Sequence, residues 1–152
     1  MSEDIPPCNI RIDKEGNWYH RGLPIINKKI YIHLNQCLSK DPSGRYVLEM
    51  DGEKCLLEVD DAPFVVKEVS LKTAPGKPPT LFIKLNDKTG EKLSTDTLRV
   101  GKGDVLYCEV KDRLYEARFL RAAYYQLAQF LQHDERGYSL LIEGKRTYLK
   151  LS

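Results

Sequence analysis

The sequence contains no apolar run of the roughly 18 residues that a membrane-spanning helix needs. Its first ten residues, MSEDIPPCNI, are acidic and lack the apolar core of a secretory signal peptide. These absences favour a cytoplasmic protein that does not bind membranes. With 152 residues, of which 41% are hydrophobic and 30% charged, the chain is long enough to fold around a core of its own.

Residues that commonly bind metals are few and scattered. The cysteines Cys8, Cys37, Cys55 and Cys108 include no C-x-x-C pair, and the three histidines do not cluster with them. A structural zinc site needs ligands at close spacing. Dispersed cysteines in a chain without an export signal are typical of buried, unpaired thiols. We therefore expect no disulfide framework, no structural metal and no cofactor.

Motifs of common enzymes are also missing. The sequence contains no P-loop, no glycine-rich dinucleotide fingerprint, no G-x-S-x-G and no H-E-x-x-H. The short segment GKGD at residues 101–104 is interpreted as a loop that leads into a strand. The sequence thus predicts a protein that is not an enzyme.

Charge is divided unevenly along the chain, although the net charge is only +2. Residues 1–62 carry eight Lys and Arg against eleven Asp and Glu, whereas residues 63–152 carry sixteen against eleven. The opposite signs suggest that the two parts attract each other. Because the basic residues form no dense stripe, binding of duplex DNA in a sequence-specific manner is not expected. A protein partner is compatible with this pattern.

The sequence does contain an internal repeat. Residues 31–59 align with residues 124–151 at an offset of 93, which falls to 92 after one deletion. The matched pairs are Leu34/Leu127, Gln36/Gln129, Leu38/Leu131, Asp41/Asp134, Gly44/Gly137, Tyr46/Tyr138, Leu48/Leu140, Gly52/Gly144 and Lys54/Arg146. We predict an N-terminal repeat at 1–62 and a C-terminal part at 63–152, which contains the second repeat at 99–152.

Each copy is predicted to fold as a helix followed by a β-hairpin. Apolar residues recur at helical spacing in both copies, at Ile30, Leu34, Cys37 and Leu38 and at Ala123, Leu127, Phe130 and Leu131. Asn27 is a candidate N-cap, and Gly44 and Gly137 are expected to end the helical regions. Alternating strands around Asp51-Gly52 and Glu143-Gly144 predict the hairpins.

The remaining segments predict further strands. A strand-like stretch lies upstream of each helix, so that each repeat is predicted to be hairpin, helix, hairpin. Between the copies, FVVKEVSLK and TLFIKL predict two strands that the Pro- and Gly-rich loop APGKPP connects. The predicted fold class is therefore α+β with mainly antiparallel sheet.

A group of carboxylates follows the first hairpin, in the segment EVDDAPFVV. Asp60 and Asp61 fall in the connection after Glu58, and such aspartates usually accept hydrogen bonds from nearby backbone N–H groups. Two alternatives are a metal site and a contact with cations of the second copy. Asp60, Asp61 and the following Phe64 are candidate ligand-binding residues.

A second group combines arginine with tyrosine in the segment EARFLRAAYYQL. Arg118 lies at a strand end and Arg121 in the first turn of the second helix, and Tyr124 and Tyr125 follow three and four residues later on the same face. Arginine beside aromatic rings at a helix N-terminus can hold an anion and stack on a ring. The alternative is a solvated arginine with tyrosines that cover the core.

The segment NWYHRGLPI supplies the last candidates. Trp18 is the single tryptophan and is expected to anchor the core. His20 could carry a proton, but no Ser or Cys beside it forms a nucleophile–base pair. Arg21-Gly22 predicts a tight turn. Trp18, His20 and Arg21 are nevertheless retained as candidate ligand-binding residues.

Four segments, NWYHRGLPI, EVDDAPFVV, TLRVGKGDVLY and YEARFLRAAYYQL, together resemble a bacterial family catalogued as a domain of unknown function. The resemblance covers nearly the whole chain. It implies a duplicated α+β fold with a C-terminal part similar to a pleckstrin-homology domain, a pocket between the halves that suits a nucleotide-like ligand, and a link to signal transduction. The sequence departs from the family where a His-Pro is expected before Leu98-Arg99, because Thr97 stands there.

These observations predict a regulatory module that binds a nucleotide-like or anionic small molecule. One alternative is a metal-assisted hydrolase that uses Asp60, Asp61 and His20. The other is a module similar to a pleckstrin-homology domain that binds a protein or peptide at an exposed sheet edge.

Overall fold

A computed structural model describes residues 4–151 of the chain. The chain divides into two compact units, with the boundary between Asp61 and Ala62. Each unit combines antiparallel strands with one α-helix among its described residues. The α+β class is therefore compatible with the structure, in which strands predominate. Within residues 4–151, no helix has the length and apolar character needed to cross a membrane.

The N-terminal unit is a six-stranded sheet with one helix. Its described elements in chain order are β1 (Pro7–Ile12), β2 (Trp18–His20), β3 (Leu23–Pro24), α1 (Lys28–Gln36), β4 (Leu38–Lys40), β5 (Tyr46–Met50) and β6 (Glu53–Val59). The strand order is β3-β2-β1-β6-β5-β4, and only the central pair β1–β6 is parallel among the described strands of this unit.

The core of the N-terminal unit lies between the helix and the sheet. The buried residues that pack together there are Ile12, Trp18, Leu34, Leu48 and Leu57. Asn27 caps α1 as predicted, since its side-chain oxygen accepts hydrogen bonds from the N–H groups of Lys29 at 3.0 Å and Ile30 at 3.4 Å. The first turn of this helix is thus satisfied by the protein itself.

A disulfide joins Cys8 of β1 to Cys55 of β6, so the expectation that all cysteines are unpaired is wrong for these two. The two residues are 47 positions apart in the sequence. They come within bonding distance because β1 pairs in parallel with β6, and no local spacing rule reveals such a long-range pairing. Cys37 and Cys108 carry free thiols.

The C-terminal unit contains a seven-stranded sheet and a separate three-stranded sheet. Its described elements are β7 (Phe64–Ala74), β8 (Lys77–Leu85), β9 (Gly90–Lys92), β10 (Arg99–Val100), β11 (Leu106–Val110), β12 (Tyr115–Phe119), α2 (Arg121–Ala128), β13 (Leu131–Asp134), β14 (Gly137–Ile142), β15 (Lys145–Tyr148) and β16 (Lys150–Leu151). The larger sheet has the order β16-β10-β11-β12-β7-β8-β9, and the smaller one the order β13-β14-β15.

The predicted APGKPP loop is shorter than expected. Strand β7 runs to Ala74 and β8 begins at Lys77, so that only Pro75 and Gly76 form the turn. Pro78 and Pro79 fit into β8 because its pairing with β9 begins only further along, at Phe82. Proline is tolerated where a strand has a free edge.

Both predicted helices end earlier than the glycines that were expected to end them. Helix α1 ends at Gln36 and α2 at Ala128, and Gly44 and Gly137 instead lie at the turns between the next strands. Leu38 and Leu131 belong to strands and pair across them with Leu48 and Leu140. Each helix is therefore followed by three strands and not by a two-stranded hairpin. The apolar spacing over these few residues suits either period, which explains the error.

The C-terminal unit also contains an ion pair in which the carboxylate is buried and the lysine is partly exposed. Lys111 Nζ lies 2.9 Å from Asp87 Oδ2, and the Asp87 side chain is only 6% exposed. Burial alone would raise the pKa of Asp87, but hydrogen bonds from Thr89 and Lys111 outweigh it and lower the pKa. Ionised Asp87 therefore stabilises the folded unit.

Candidate ligand-binding site

Four of the predicted site residues meet at one cavity of the C-terminal unit. Arg118, Arg121, Tyr124 and Tyr125 line a space of about 300 Å³. We call it the arginine–tyrosine cavity. Its remaining lining residues are Asp104, Val105, Leu106 and Phe119.

The end of strand β12 positions Arg118 at this cavity. Its neighbours Ala117 and Phe119 are buried, and side chains alternate between the two faces of a strand, so Arg118 projects to the opposite face. Pairing holds the strand on both sides, because Arg118 is opposite Tyr107 of β11 and opposite Val65 of β7. The guanidinium group is thus carried by a rigid strand near the centre of the sheet.

Helix α2 carries the other three predicted residues. Ala123 and Leu127 are fully buried, which turns the side of the helix with Arg121, Tyr124 and Tyr125 outward. Tyr124 is 36% exposed and Tyr125 61%. The rings of these tyrosines contact each other edge to face, with centroids 5.9 Å apart. They form an aromatic surface beside the first turn of the helix.

Two hydrogen bonds with strand β7 fix the N-terminal part of α2. The N–H of Leu120 donates to the carbonyl of Val66 at 3.1 Å. One turn later, the side-chain oxygen of Gln126 accepts a hydrogen bond from the N–H of Val69 at 2.7 Å. Leu120 is the N-cap residue, and within residues 4–151 no side chain at this position caps the helix. An α-helix leaves its first N–H groups without acceptors in the helix, so those of α2 are available to an anion.

The opposite wall of the cavity comes from the segment before β11. It includes Asp104, at the end of a short 3-10 segment, with φ of 60° next to Gly103 with φ of 75°. The sequence predicts this segment only as a loop, and Asp104 is not among the predicted site residues. No motif around it could have indicated its position, because the topology of β11 and β12 brings it to α2.

The charges at the cavity favour an anion. Two guanidinium groups, those of Arg118 and Arg121, line the same space as one carboxylate, that of Asp104. Arg121 forms no ion pair with any residue between 4 and 151. The partial positive charge at the N-terminus of α2 adds to this excess. Positively charged side chains thus outnumber the one carboxylate that lines this cavity.

The candidates of the N-terminal unit do not form an equivalent group. Trp18 is 2% exposed and belongs to the core, which leaves it little surface for a ligand. His20 ends β2, and Arg21-Gly22 forms the predicted tight turn with φ of 49° and 82°. Arg21 lines a cavity of about 550 Å³ together with Arg11, Tyr19 and Glu58.

Asp60 is bound to a cation of its own unit. Arg11 Nε donates to Asp60 Oδ2 at 3.1 Å, and the Arg11 guanidinium lies over the ring of Tyr19 at 5.0 Å from its centroid. The Asp60 N–H donates to the carbonyl of Ile12 at 3.0 Å. The acid after β6 therefore fixes the end of the first strand to the end of the sixth. Among residues 4–151, no three His, Cys, Asp or Glu side chains are grouped so that they could hold a metal ion.

Phe64 and Thr97 have structural contacts in the C-terminal unit. Phe64 is 2% exposed, its ring centroid lies 5.6 Å from that of Tyr115, and Lys111 Nζ lies 5.5 Å from the Phe64 ring. Thr97, which stands where the resemblance implies a His-Pro before Leu98-Arg99, is 8% exposed. Its hydroxyl donates to the carbonyl of Ser94 at 2.7 Å and accepts from the N–H of Glu109 at 3.0 Å.

Comparisons with known proteins identify the fold. The chain matches no family model and no curated protein. A DUF1285 family protein from Silicibacter pomeroyi DSS-3 has a TM-score of 0.79 and 22% identity, over 95% of this chain and 81% of that chain. A DUF1285 family protein from Shewanella baltica OS155 has a TM-score of 0.65 and 20% identity, over 81% of this chain and 91% of that chain. The chain thus shares the fold of two bacterial proteins from a family of unknown function.

Proposed function

We propose that the C-terminal unit is a binding module for a small organic anion, which occupies the arginine–tyrosine cavity. The observation that carries the proposal is the convergence of Arg118 and Arg121 on one cavity, beside two tyrosines and the uncapped start of α2. A guanidinium group can donate two parallel hydrogen bonds to a carboxylate or phosphate. The N-terminus of α2, which begins at the cavity-lining Arg121, adds its partial positive charge.

The size and chemistry of the site support this proposal. A cavity of about 300 Å³ lies at the lower end of the range for small-molecule sites. The tyrosine rings offer an apolar surface to the part of the ligand that carries no charge. Because the arginine–tyrosine cavity is open to solvent at Tyr125, which is 61% exposed, salt should weaken binding. A regulatory role in signal transduction stays a prediction.

The proposal is tested by thermal shift of the full chain with sodium phosphate, adenosine monophosphate and hexanoate as separate probes. We expect at least one of these anions to raise the midpoint of thermal unfolding, because a ligand that binds the folded state stabilises it. The variant Arg121→Ala should lose most of that increase. Arg136→Ala is the matched control, since it removes the same charge from the exposed turn between β13 and β14.

Two results would contradict the proposal. One is that none of the three anions stabilises the wild-type chain at low ionic strength. The other is that Arg121→Ala and Arg136→Ala respond to the anions as the wild type does, because binding would then not involve the start of α2.

We also infer that the helix and three strands in each unit derive from one duplicated segment. The pairing of β4 with β5 supports this, because Leu38 is opposite Leu48 just as Leu131 is opposite Leu140 in β13 and β14. The next pair of strands follows the same register, with Leu48 opposite Cys55 and Leu140 opposite Thr147. These positions correspond at the offsets of 93 and 92 that the sequence repeat requires. The similarity to a pleckstrin-homology domain stays a prediction.

A further inference from the structure

An apolar groove adjoins the arginine–tyrosine cavity in the C-terminal unit. It has a volume of about 470 Å³ and shares Asp104, Leu106 and Tyr124 with that cavity. The other residues that line this apolar groove are Val100, Ala128, Leu131, Tyr138, Leu149 and Leu151. The two spaces therefore lie side by side, with Tyr124 in the wall that they share.

Hydrogen bonds within the protein hold the backbone around the apolar groove. The N–H of Leu149 donates to the carbonyl of Tyr138 at 2.9 Å, and the N–H of Lys150 donates to the carbonyl of Leu98 at 3.2 Å. These bonds place the last strand of the unit beside β10, with Leu151 opposite Val100. Binding to a pre-formed site is tighter, because no free energy is spent on ordering the site around the ligand.

The apolar groove exposes side chains that a folded chain normally covers. Leu151 is 86% exposed and Tyr138 is 55% exposed. Its polar side chains are those of Asp104, Tyr124 and Tyr138, and all others that line it are aliphatic. Displacement of water from such a surface by an alkyl chain is favourable. The surface offers few groups that could recognise the polar edge of a nucleobase.

We propose that the two spaces together bind a carboxylate with an unbranched alkyl chain. The head group would lie at Arg118 and Arg121, and the chain would pass Tyr124 and follow the apolar groove toward Tyr138 and Leu151. A carboxylate fits the head-group position because a guanidinium group can donate two parallel hydrogen bonds to its oxygens. This inference rests on the proposed function and adds the chemical class of the ligand.

The test measures dissociation constants of the full chain for butyrate, hexanoate, octanoate and decanoate by calorimetric titration. Affinity should rise between about twofold and fourfold for each added methylene, since each buried methylene contributes hydrophobic free energy. Leu151→Ser and Tyr138→Ser should each reduce this dependence on chain length and leave butyrate binding nearly unchanged. Leu23→Ser is the matched control, because Leu23 is 72% exposed and belongs to the N-terminal unit.

The variant Arg121→Ala separates this inference from the proposed function. It should weaken all four carboxylates by a similar factor, because it removes a contact with the shared head group. If binding depends on Arg121 but not on chain length, the inference is overturned and the proposed function stands. If no probe depends on Arg121, both are overturned.

Two further results would overturn the inference alone. The first is a dependence on chain length that Leu151→Ser and Tyr138→Ser both leave intact, since the chain would then bind elsewhere. The second is tighter, Arg121-dependent binding of adenosine monophosphate than of every alkyl carboxylate, which would assign the site to a nucleotide.

Discussion

The helices of the two units begin in different ways. In the N-terminal unit, Asn27 caps the first turn of α1 with its own side chain. In the C-terminal unit, α2 follows Leu120, which provides no such cap among the described residues, and its first turn faces a cavity with two arginines. The helix start is thus capped by a side chain in the N-terminal unit, whereas Leu120 provides no side-chain cap in the C-terminal unit.

The cations of the two units differ in the same sense. Arg11 is held by Asp60 and by the ring of Tyr19, so that its charge is compensated within the N-terminal unit. Arg121 has a tyrosine one turn away but forms no ion pair with a residue of the described chain. Residue type alone therefore does not separate a structural arginine from one that can bind. The two kinds of arginine are distinguished by whether a nearby carboxylate forms an ion pair with the guanidinium group.

The largest expected effect concerns the disulfide between Cys8 and Cys55 of the N-terminal unit. Replacing Cys8 and Cys55 by alanine should lower the free energy of unfolding of this unit by about 3 kcal/mol, because the bond restricts the unfolded chain over 47 residues. Urea unfolding followed by the fluorescence of Trp18, which is buried in this unit, measures the change. The response of the C-terminal unit to anions should stay unchanged.

A thiol titration of the wild-type chain provides the control for this prediction. The denatured, unreduced protein should expose the two thiols of Cys37 and Cys108, and reduction should raise the number to four. Four thiols before reduction, together with an unchanged urea midpoint in the double variant, would show that the N-terminal unit does not depend on this bond.

A somewhat smaller effect is expected from the ion pair of the C-terminal unit. Asp87→Asn should cost about 2 kcal/mol of unfolding free energy, because it removes the charge that Lys111 and Thr89 contact. Asp60→Asn breaks an exposed pair and should cost less than about 1 kcal/mol. Chemical denaturation of both variants compares the two directly, and equal losses would contradict the difference in burial.

The dependence on pH gives a second reading of Asp87. Its pKa is lower in the folded protein than in the unfolded chain, where an aspartate has a pKa of about 4. The stabilisation is therefore complete above the unfolded pKa and is lost as the pH falls through the lower, folded pKa. Asp87→Asn should reduce the loss of stability between neutral and acidic pH. An acid-unfolding profile identical to that of the wild type would contradict this assignment.

Substitutions at the helix starts should have smaller effects than loss of the disulfide or of the Asp87 charge. Asn27→Ala should destabilise the N-terminal unit by about 1 kcal/mol, because it removes the cap of α1. The reciprocal change, Leu120→Asn, introduces a capping side chain at α2 that competes with a ligand for the same N–H groups. We expect this variant to show a smaller thermal shift with anions than the wild type. An undiminished shift would mean that these N–H groups do not contribute to binding.

The sequence was most informative where structure is determined locally. The cap at Asn27 and the turns at Asp51-Gly52 and Glu143-Gly144 were predicted correctly, with positive φ at all four turn residues. Such features depend on the conformational preferences of a few neighbouring residues. The grouping of Arg121 with Tyr124 and Tyr125 also follows from helical spacing alone.

The sequence was less informative where distant segments meet. The pairing of Cys8 with Cys55 and the position of Asp104 opposite α2 both depend on which strands are neighbours. Helix ends were also misplaced, because Leu38 and Leu131 fit a helical stripe and an alternating strand equally well. Tertiary pairing with Leu48 and Leu140 decides between the two.

The most direct test of the proposed site is a titration of the ¹⁵N-labelled full chain with octanoate, followed by NMR. We predict that the amide signals of Arg121, Ala122 and Ala123 shift in a saturable manner, because these N–H groups begin α2 beside the arginine–tyrosine cavity. The signals of Lys29 and Ile30, whose N–H groups are already bonded to Asn27, should not move. Unchanged signals at Arg121 to Ala123 at saturating octanoate would contradict binding of the carboxylate at the start of α2.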